Sequence, residues 1–488
     1  MKRSTSSAAL TALALHVAHV TADALKPVAQ RFEQSPGLPA FSFQLAGDTA
    51  SVCNGTTPGT AGFLETDDGS TSTFFWLHES KNDPATDPLI LWMSGGPGAS
   101  SIGFGGLMEL GPCRITTREG RLHTVDNPSS WNARANLLIV DQPAGVGFSR
   151  AEQQPNGLAD SSKLMDRFLR QFLRGFPQLA DRDFYIAGES YGGSWVPALA
   201  AQILRTQDET GAFAGIRHVQ QMMKPLDEKP PAINLKGVMI GNGLIRQSVQ
   251  NPAGIEEVCG SARGLFDGDR CRDFAPLALW CEQNLPVCET QGWLEPECLA
   301  AQDKCTGLTE VVLGEMHRNP YDWRRRCVGD PSGCYEEIDF VVDYLNSSNV
   351  KRSLGVPDDL PFNGISMEVF EKWQSVGDLW RASSGYVEEL LGKGIRVLVY
   401  VGDKDWFCHA AGMRRLVDEG LTWAGRPLFR FRKLAPWYSG VKEAGRYKAL
   451  EPLSFAEVAE AGHMVPFDQP EAALKLINSW IGGRLGAQ

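Results

Sequence analysis

Past residue 24 the 488-residue chain has no run of 18 uninterrupted apolar residues, so no later segment reads as a membrane-spanning helix. It has no long basic run either, and 47 Lys and Arg against 58 Asp and Glu leave a net charge of −11. That balance excludes nucleic acid and anionic membrane surfaces as partners. C-x-x-C pairs and H-E-x-x-H are missing, which sets aside a zinc centre. The glycine loop SGGPGASS (94–101) lacks the G-x-x-x-x-G-K-[ST] pattern and its lysine, which sets aside a nucleotide phosphate loop. No metal and no cofactor is expected. Internal repeats and low-complexity tracts are absent, and histidine is scarce, at eight residues.

What is there is enough for a large core: 43% of residues are hydrophobic, and the length suits one large elaborated domain or two. The start, MKRSTSSAALTALALHVAHVTADA, sets Lys2 and Arg3 before a short apolar stretch that ends in small residues, Ala22 and Ala24. This is the pattern of a secretory signal peptide, taken here as residues 1–22. Eleven cysteines behind such a leader imply an oxidising compartment and several disulfides, with at least one thiol left over. Eight of them, from Cys259 to Cys334, crowd one stretch. The sequons Asn54-Gly-Thr and Asn346-Ser-Ser mark Asn54 and Asn346 as glycosylation candidates, in keeping with a secreted protein or, as second choice, a vacuolar one.

Short apolar runs at 88–93, 136–141, 183–188, 235–243 and 395–403 read as buried strands, and 161–176 has helical spacing. Strands alternating with helices predict an α/β fold with a mostly parallel central sheet covered on both faces. Residues 246–345 break that rhythm and read as a disulfide-rich, helical insertion between two parts of the core, 23–245 and 346–488.

One motif carries the chemistry. In GESYGGSWVP (188–197), Ser190 sits between Gly188 and Gly192, directly after the strand DFYIAG and before a helical stretch. That is the context of a nucleophile elbow, a tight strand-to-helix turn that lifts a serine hydroxyl clear of the sheet. A serine needs a base and a carboxylate to orient it, and in an α/β-hydrolase they follow in the order serine, acid, histidine. Only His409 and His463 lie late enough to serve, and His409 follows its strand too closely, on the loop that should present the acid. His463, in AEAGHMVPFDQP, is therefore the expected base. GDKDW offers Asp403 and Asp405 as the acid, and order alone does not choose. The amide after the nucleophile, that of Tyr191, should donate to the oxyanion, with a second donor from the loop 94–101.

LWMSGGPGASS, MELGPC, NPSSWNARANLLIVDQPAGVGFS, GESYGGSWVP, MIGNGLI, GDKDWFC and AGHMVPFDQP resemble, in order, the blocks of the serine carboxypeptidases. SVCNGTTPG with ELGPC looks most like the fungal secreted branch. The resemblance implies an α/β-hydrolase that removes C-terminal residues from peptides and proteins through an acyl-enzyme, with Ser190 as nucleophile, Asp405 as orienting acid and His463 as base. Gly96 would join Tyr191 in the oxyanion hole. Glu109 and Glu189 would share a proton and, with Ser94 and Gly95, bind the substrate's terminal carboxylate, favouring acidic pH. Cys408 would be the unpaired thiol of the side-chain pocket.

The chain also departs from the family. Ser94 stands where asparagine is usual, so that contact to the carboxylate lengthens, runs through water or is lost. Ala99 replaces a loop cysteine, so one familiar disulfide is absent or rerouted, and His409 replaces an asparagine beside Cys408. A relative that transfers acyl groups or cleaves esters with the same triad is the alternative that Ser94 would favour. A catalytically silent binding protein would have lost a triad member, and all three candidates are present.

Overall fold

A computed structural model describes residues 25–35, 38–47, 49–53, 55, 58–212, 231–260, 266–314, 317–328 and 333–485. The proposed leader 1–22 and the sequon residue Asn54 lie outside the described residues. The centre is one 13-stranded sheet. Its longer strands are β1 (Phe41–Leu45), β2 (Gly59–Thr66), β3 (Thr71–His78), β4 (Leu89–Met93), β5 (Asn136–Val140), β6 (Phe184–Glu189), β7 (Leu235–Gly241), β8 (Arg396–Gly402), β9 (Ala435–Ser439), β10 (Lys442–Leu450) and β11 (Leu453–Val458). They lie in the order β1-β2-β3-β5-β4-β6-β7-β8-β11-β10-β9, with the two-residue strands Arg31–Phe32 on β1 and Arg150–Ala151 on β3.

The six strands from β5 to β11 run parallel, as the apolar runs imply. Both flanks are antiparallel, so the sheet is mixed. The reason is connection length. Tight turns such as Asp67–Ser70, with Gly69 at φ 72°, and 440–441, with Gly440 at φ 63°, can only reverse the chain, whereas parallel neighbours need a crossover.

Alternate side chains of the central strands feed two cores, which is why these strands read as continuous apolar runs. Leu89, Leu91, Met93, Ile186, Val397 and Val399 face the side covered by helices α1 (Leu158–Gly175) and α2 (Gly192–Ala212). Ile90, Trp92, Tyr185, Leu398 and Tyr400 face the other, which carries a C-terminal helix, Pro470–Ile481.

The described residues of the stretch 246–345 are largely helical, chiefly α3 (Gly268–Gln291) and α4 (Pro296–Gly314). Cys281–Cys305 and Cys288–Cys298 tie α3 to α4 around Leu285, and Trp293 packs there with Trp380 from outside that stretch. Cys259–Cys271 and Cys327–Cys334 close shorter loops, and Cys53–Cys113 fastens the N-terminal part. No disulfide reaches the loop at Ala99, and Cys408 is the one free cysteine. Among the described residues no helix is long and apolar enough to cross a membrane.

The register sets where chemistry can occur. Gly188 pairs with Met93 and Ile240, Gly241 with Tyr400, and Gly402 with Val458. The carboxyl ends of five parallel strands are thus level, and the loops that leave them converge on one edge of the sheet, where α/β folds form their ligand sites.

Candidate active site

Ser190 leaves β6 with a left-handed backbone, φ 61°, and α2 begins two residues later. Other groups hold that strained turn: the Ser190 N–H donates to the Gly241 carbonyl at 3.0 Å, and the Ser190 carbonyl accepts from Gly193 and Leu244, each at 2.8 Å. The glycine loop presses against it so closely that a Cβ on Gly95 would lie 2.5 Å from the Ser190 Cβ. Only glycine fits there. The Gly96 and Tyr191 amides have no acceptor among the described residues, which leaves both donors for a ligand.

Two loops further along the sheet bring His463 and Asp405 together. Asp405 follows β8 and His463 follows β11, and His463 Nδ1 lies 2.7 Å from Asp405 Oδ2, both side chains being buried. The backbone N–H of His463 donates to the Tyr321 carbonyl at 2.6 Å, and the Tyr321 ring packs edge-on against the imidazole. A carboxylate can only accept, so Nδ1 is the donor of this pair. Asp403, the other aspartate of GDKD, pairs instead with Lys404 at 2.9 Å. Of the two aspartates that chain order leaves open, Asp405 is the one that faces His463.

Sequence reading gave no role to two buried residues here. Asn242, at φ 43°, donates from Nδ2 to Asp405 Oδ2 at 2.7 Å and accepts from the Gly402 N–H at 3.2 Å. With the Phe407 N–H donating to Asp405 Oδ1 at 2.8 Å, it fixes the carboxylate that faces His463. Asp141, just past β5, accepts from Ser100 Oγ at 2.6 Å, Ile102 N–H at 3.1 Å and Phe148 N–H at 3.2 Å, and so pins the glycine loop. Burial lifts its pKa to about 6. The signal for both was a polar residue ending an apolar strand.

Glu189 ends β6, and Glu109 ends the short helix Ile102–Glu109. Both are buried, and neither Glu109 oxygen finds an N–H or O–H donor among the described residues. A hydrogen bond between the two carboxyls therefore requires one of them to hold a proton. Burial raises the Glu109 pKa to about 7. Burial and then the negative charge of Glu109 carry Glu189 well above its ordinary value. Ser94 lies nearby on the glycine loop; its Oγ accepts from the Trp92 indole N–H at 3.1 Å, so its own hydroxyl proton remains to be donated.

Ser190, His463, Glu189, Ser94, Gly95 and Gly96 line one cavity of about 300 Å³. The rest of its wall is mostly apolar, with Phe104, Ile338, Ile365, Met367 and Phe370 among its members. Cys408 is not on that wall. It is buried behind the Asp405 and His463 pair, with its sulfur within 4.8 Å of ligand atoms of both, and burial followed by the charges of Asp405 and Glu189 keeps the thiol protonated. His409 also turns away from the cavity and caps the helix Ala410–Arg415, its Nδ1 accepting from the Gly412 N–H at 2.9 Å. Asn346 is half-buried, and its amide donates to the Val342 and Phe362 carbonyls at 3.0 and 3.1 Å. A glycan on that nitrogen would displace one of these bonds.

A serine on an elbow and a histidine paired to a buried aspartate, at the carboxyl edge of a largely parallel sheet, define the chain as an α/β-hydrolase of the serine type. Residues 54–483 match the family model described as serine carboxypeptidase, and the chain belongs to that family. It is similar to carboxypeptidase Y of Schizosaccharomyces pombe, at 36% identity over 87% of this chain and 41% of that relative. It is similar too to the vacuolar serine-type carboxypeptidase ATG42 of Saccharomyces cerevisiae, at 34% identity over 87% of this chain and 79% of the relative. The chain thus spans under half of the first relative and most of the second. Among solved structures it resembles Kex1(delta)p, a prohormone-processing carboxypeptidase from Saccharomyces cerevisiae, with a TM-score of 0.70, 24% identity and coverage of 88% of this chain and 92% of that one. That likeness bears on the fold.

Proposed function

We propose that this serine carboxypeptidase removes C-terminal residues one at a time, with Ser190 as nucleophile, His463 as general base and then general acid, and Asp405 holding the imidazole in its reactive tautomer. Ser190 Oγ attacks the last peptide carbonyl as its proton passes to His463 Nε2; the oxyanion takes the Gly96 and Tyr191 amides; the proton goes on to the leaving amine; and water, activated by the same histidine, then releases the acyl-enzyme. The Glu109 and Glu189 pair, with Ser94 and the backbone at Gly95, binds the terminal carboxylate. A carboxyl that keeps its proton at mildly acidic pH can donate to another carboxylate, whereas an ionised pair repels it.

The observation that carries this reading is Glu189 on the cavity wall with Ser190, its pKa raised by burial and then by the charge of the buried Glu109, neither of whose oxygens meets a donor among the described residues. The apolar wall suits a bulky apolar side chain at the cleaved bond. The oxidised cysteines agree with a secreted or a vacuolar protein. The test is incubation with an unblocked peptide and its C-terminal amide, read by mass spectrometry. Stepwise loss from the free acid, much faster than from the amide, is the expected result. The shorter donor at Ser94 favours a second reading, acyl transfer or ester cleavage on the same triad, and that reading predicts ester turnover with no shortening of the free-acid peptide.

A further inference from the structure

Far from the cavity, Glu79 follows β3 and is only 4% exposed. Its backbone is fixed: its N–H donates to the Pro58 carbonyl at 3.3 Å, and its carbonyl accepts from Asn132 Nδ2 at 2.8 Å. Its carboxylate accepts from the backbone nitrogen of Leu25, and among the described residues it forms no ion pair. Burial raises its pKa. A buried carboxylate without a cation is costly and calls for an explanation. Leu25 is held in place from other sides as well. Thr60 Oγ1 donates to its carbonyl, its side chain packs on the core, and three residues on, the Val28 N–H donates to the Gly175 carbonyl at 2.8 Å.

The residues before Leu25 are Ala22, Asp23 and Ala24, the small-x-small pattern that leader peptidases cut after. We propose that the chain is processed between Ala24 and Leu25, and that the new α-ammonium of Leu25 is the missing cation of Glu79, locking the mature N-terminus to the sheet. The cut lies two residues past the leader boundary drawn from sequence alone. Hydrolysis of that peptide bond by a secretory endopeptidase consumes one water. Ala24 leaves as a carboxylate, and the Leu25 nitrogen takes up protons to become an ammonium in the place where its amide N–H already met Glu79. Processing thus turns a single hydrogen bond into a charge-assisted pair.

The test begins with intact mass and N-terminal sequencing of the full chain secreted from a fungal host. A start at Leu25 is expected, and any other start overturns the proposal. Unfolding midpoints are then compared for the Leu25-start protein and for a form carrying a Gly-Ser extension before Leu25, each with and without Glu79→Gln. Glu79→Gln should lower Tm on the order of 2–4 °C in the Leu25-start form and clearly less in the extended form, because only the former has an ammonium to lose. Equal drops in both would overturn the ion pair. Should Glu79→Gln fail to be secreted, cyanate labelling of the wild type at neutral pH replaces it. The native α-amine should react about tenfold more slowly than after denaturation, since one unit of raised pKa leaves a tenth of the free amine. Equal rates would contradict the lock.

Discussion

At the scale of single residues, the site divides into groups that react and groups that hold them. Ser190→Ala removes the proposed nucleophile without burying or freeing a charge; turnover should vanish while the unfolding transition stays, and a phosphonylating reagent should label only the wild type. Asp405→Asn should lower kcat on the order of 10⁴-fold by forcing the wrong tautomer on His463. Asp403→Asn, whose partner is Lys404, should cost far less. Equal losses would contradict the placement of Asp405. Asn242→Ala takes away one of the bonds that orient the Asp405 carboxylate, and a drop in kcat on the order of 10–100-fold with KM nearly unchanged is expected. Of these residues, Ser190 and His463 could be proposed from the sequence because the elbow motif and the expected order serine, acid, histidine are local and linear. Asn242 was not, since its role exists only where β7 and β8 lie side by side.

At the scale of elements, the level ends of β4, β6, β7, β8 and β11 do the positioning, and the loop 94–101 must touch the elbow to bring its amides in. Gly95→Ala is therefore a sharp test. Its Cβ would collide with Ser190, so activity should fall by about 10²-fold or more, as for loss of an oxyanion donor, while kcat rather than Tm takes most of the damage. The parallel strands were readable as apolar runs because both of their faces are buried. β10, KEAGRYKAL, was not, because it lies near the sheet edge with Lys442, Glu443 and Arg446 exposed and carries no such run. α1 starts at Leu158, earlier than helical spacing suggests, because the Leu158 N–H donates to Asp378 Oδ2 at 2.7 Å, a cap supplied from 220 residues away. Nor did spacing alone reveal the cysteine pairs, since eight cysteines admit many pairings.

For the whole molecule, we propose that the fold buries Glu109 against Glu189, which lies on the cavity wall, so that a proton kept on the pair holds a substrate's terminal carboxylate. The claim has a pH signature with a definite sign. Burial sets Glu109 at about 7 and Glu189 higher still, so at acidic pH both carboxyls keep their protons and the terminal carboxylate is held; as pH climbs through about 7 Glu109 ionises first, and the negative charge that appears there repels the terminus. Neighbouring glutamates could be guessed from the motif blocks, but their burial and lack of other donors could not. The most direct measurement is kcat/KM against pH for a free-acid peptide and for its uncharged C-terminal amide or ester, in the wild type and in Glu109→Gln with Glu189→Gln. For the free acid on the wild type, kcat/KM should fall above about pH 6–7, chiefly through KM. The uncharged substrate should lack most of that fall, and the double variant should flatten it. Identical profiles for charged and uncharged substrates would contradict the account.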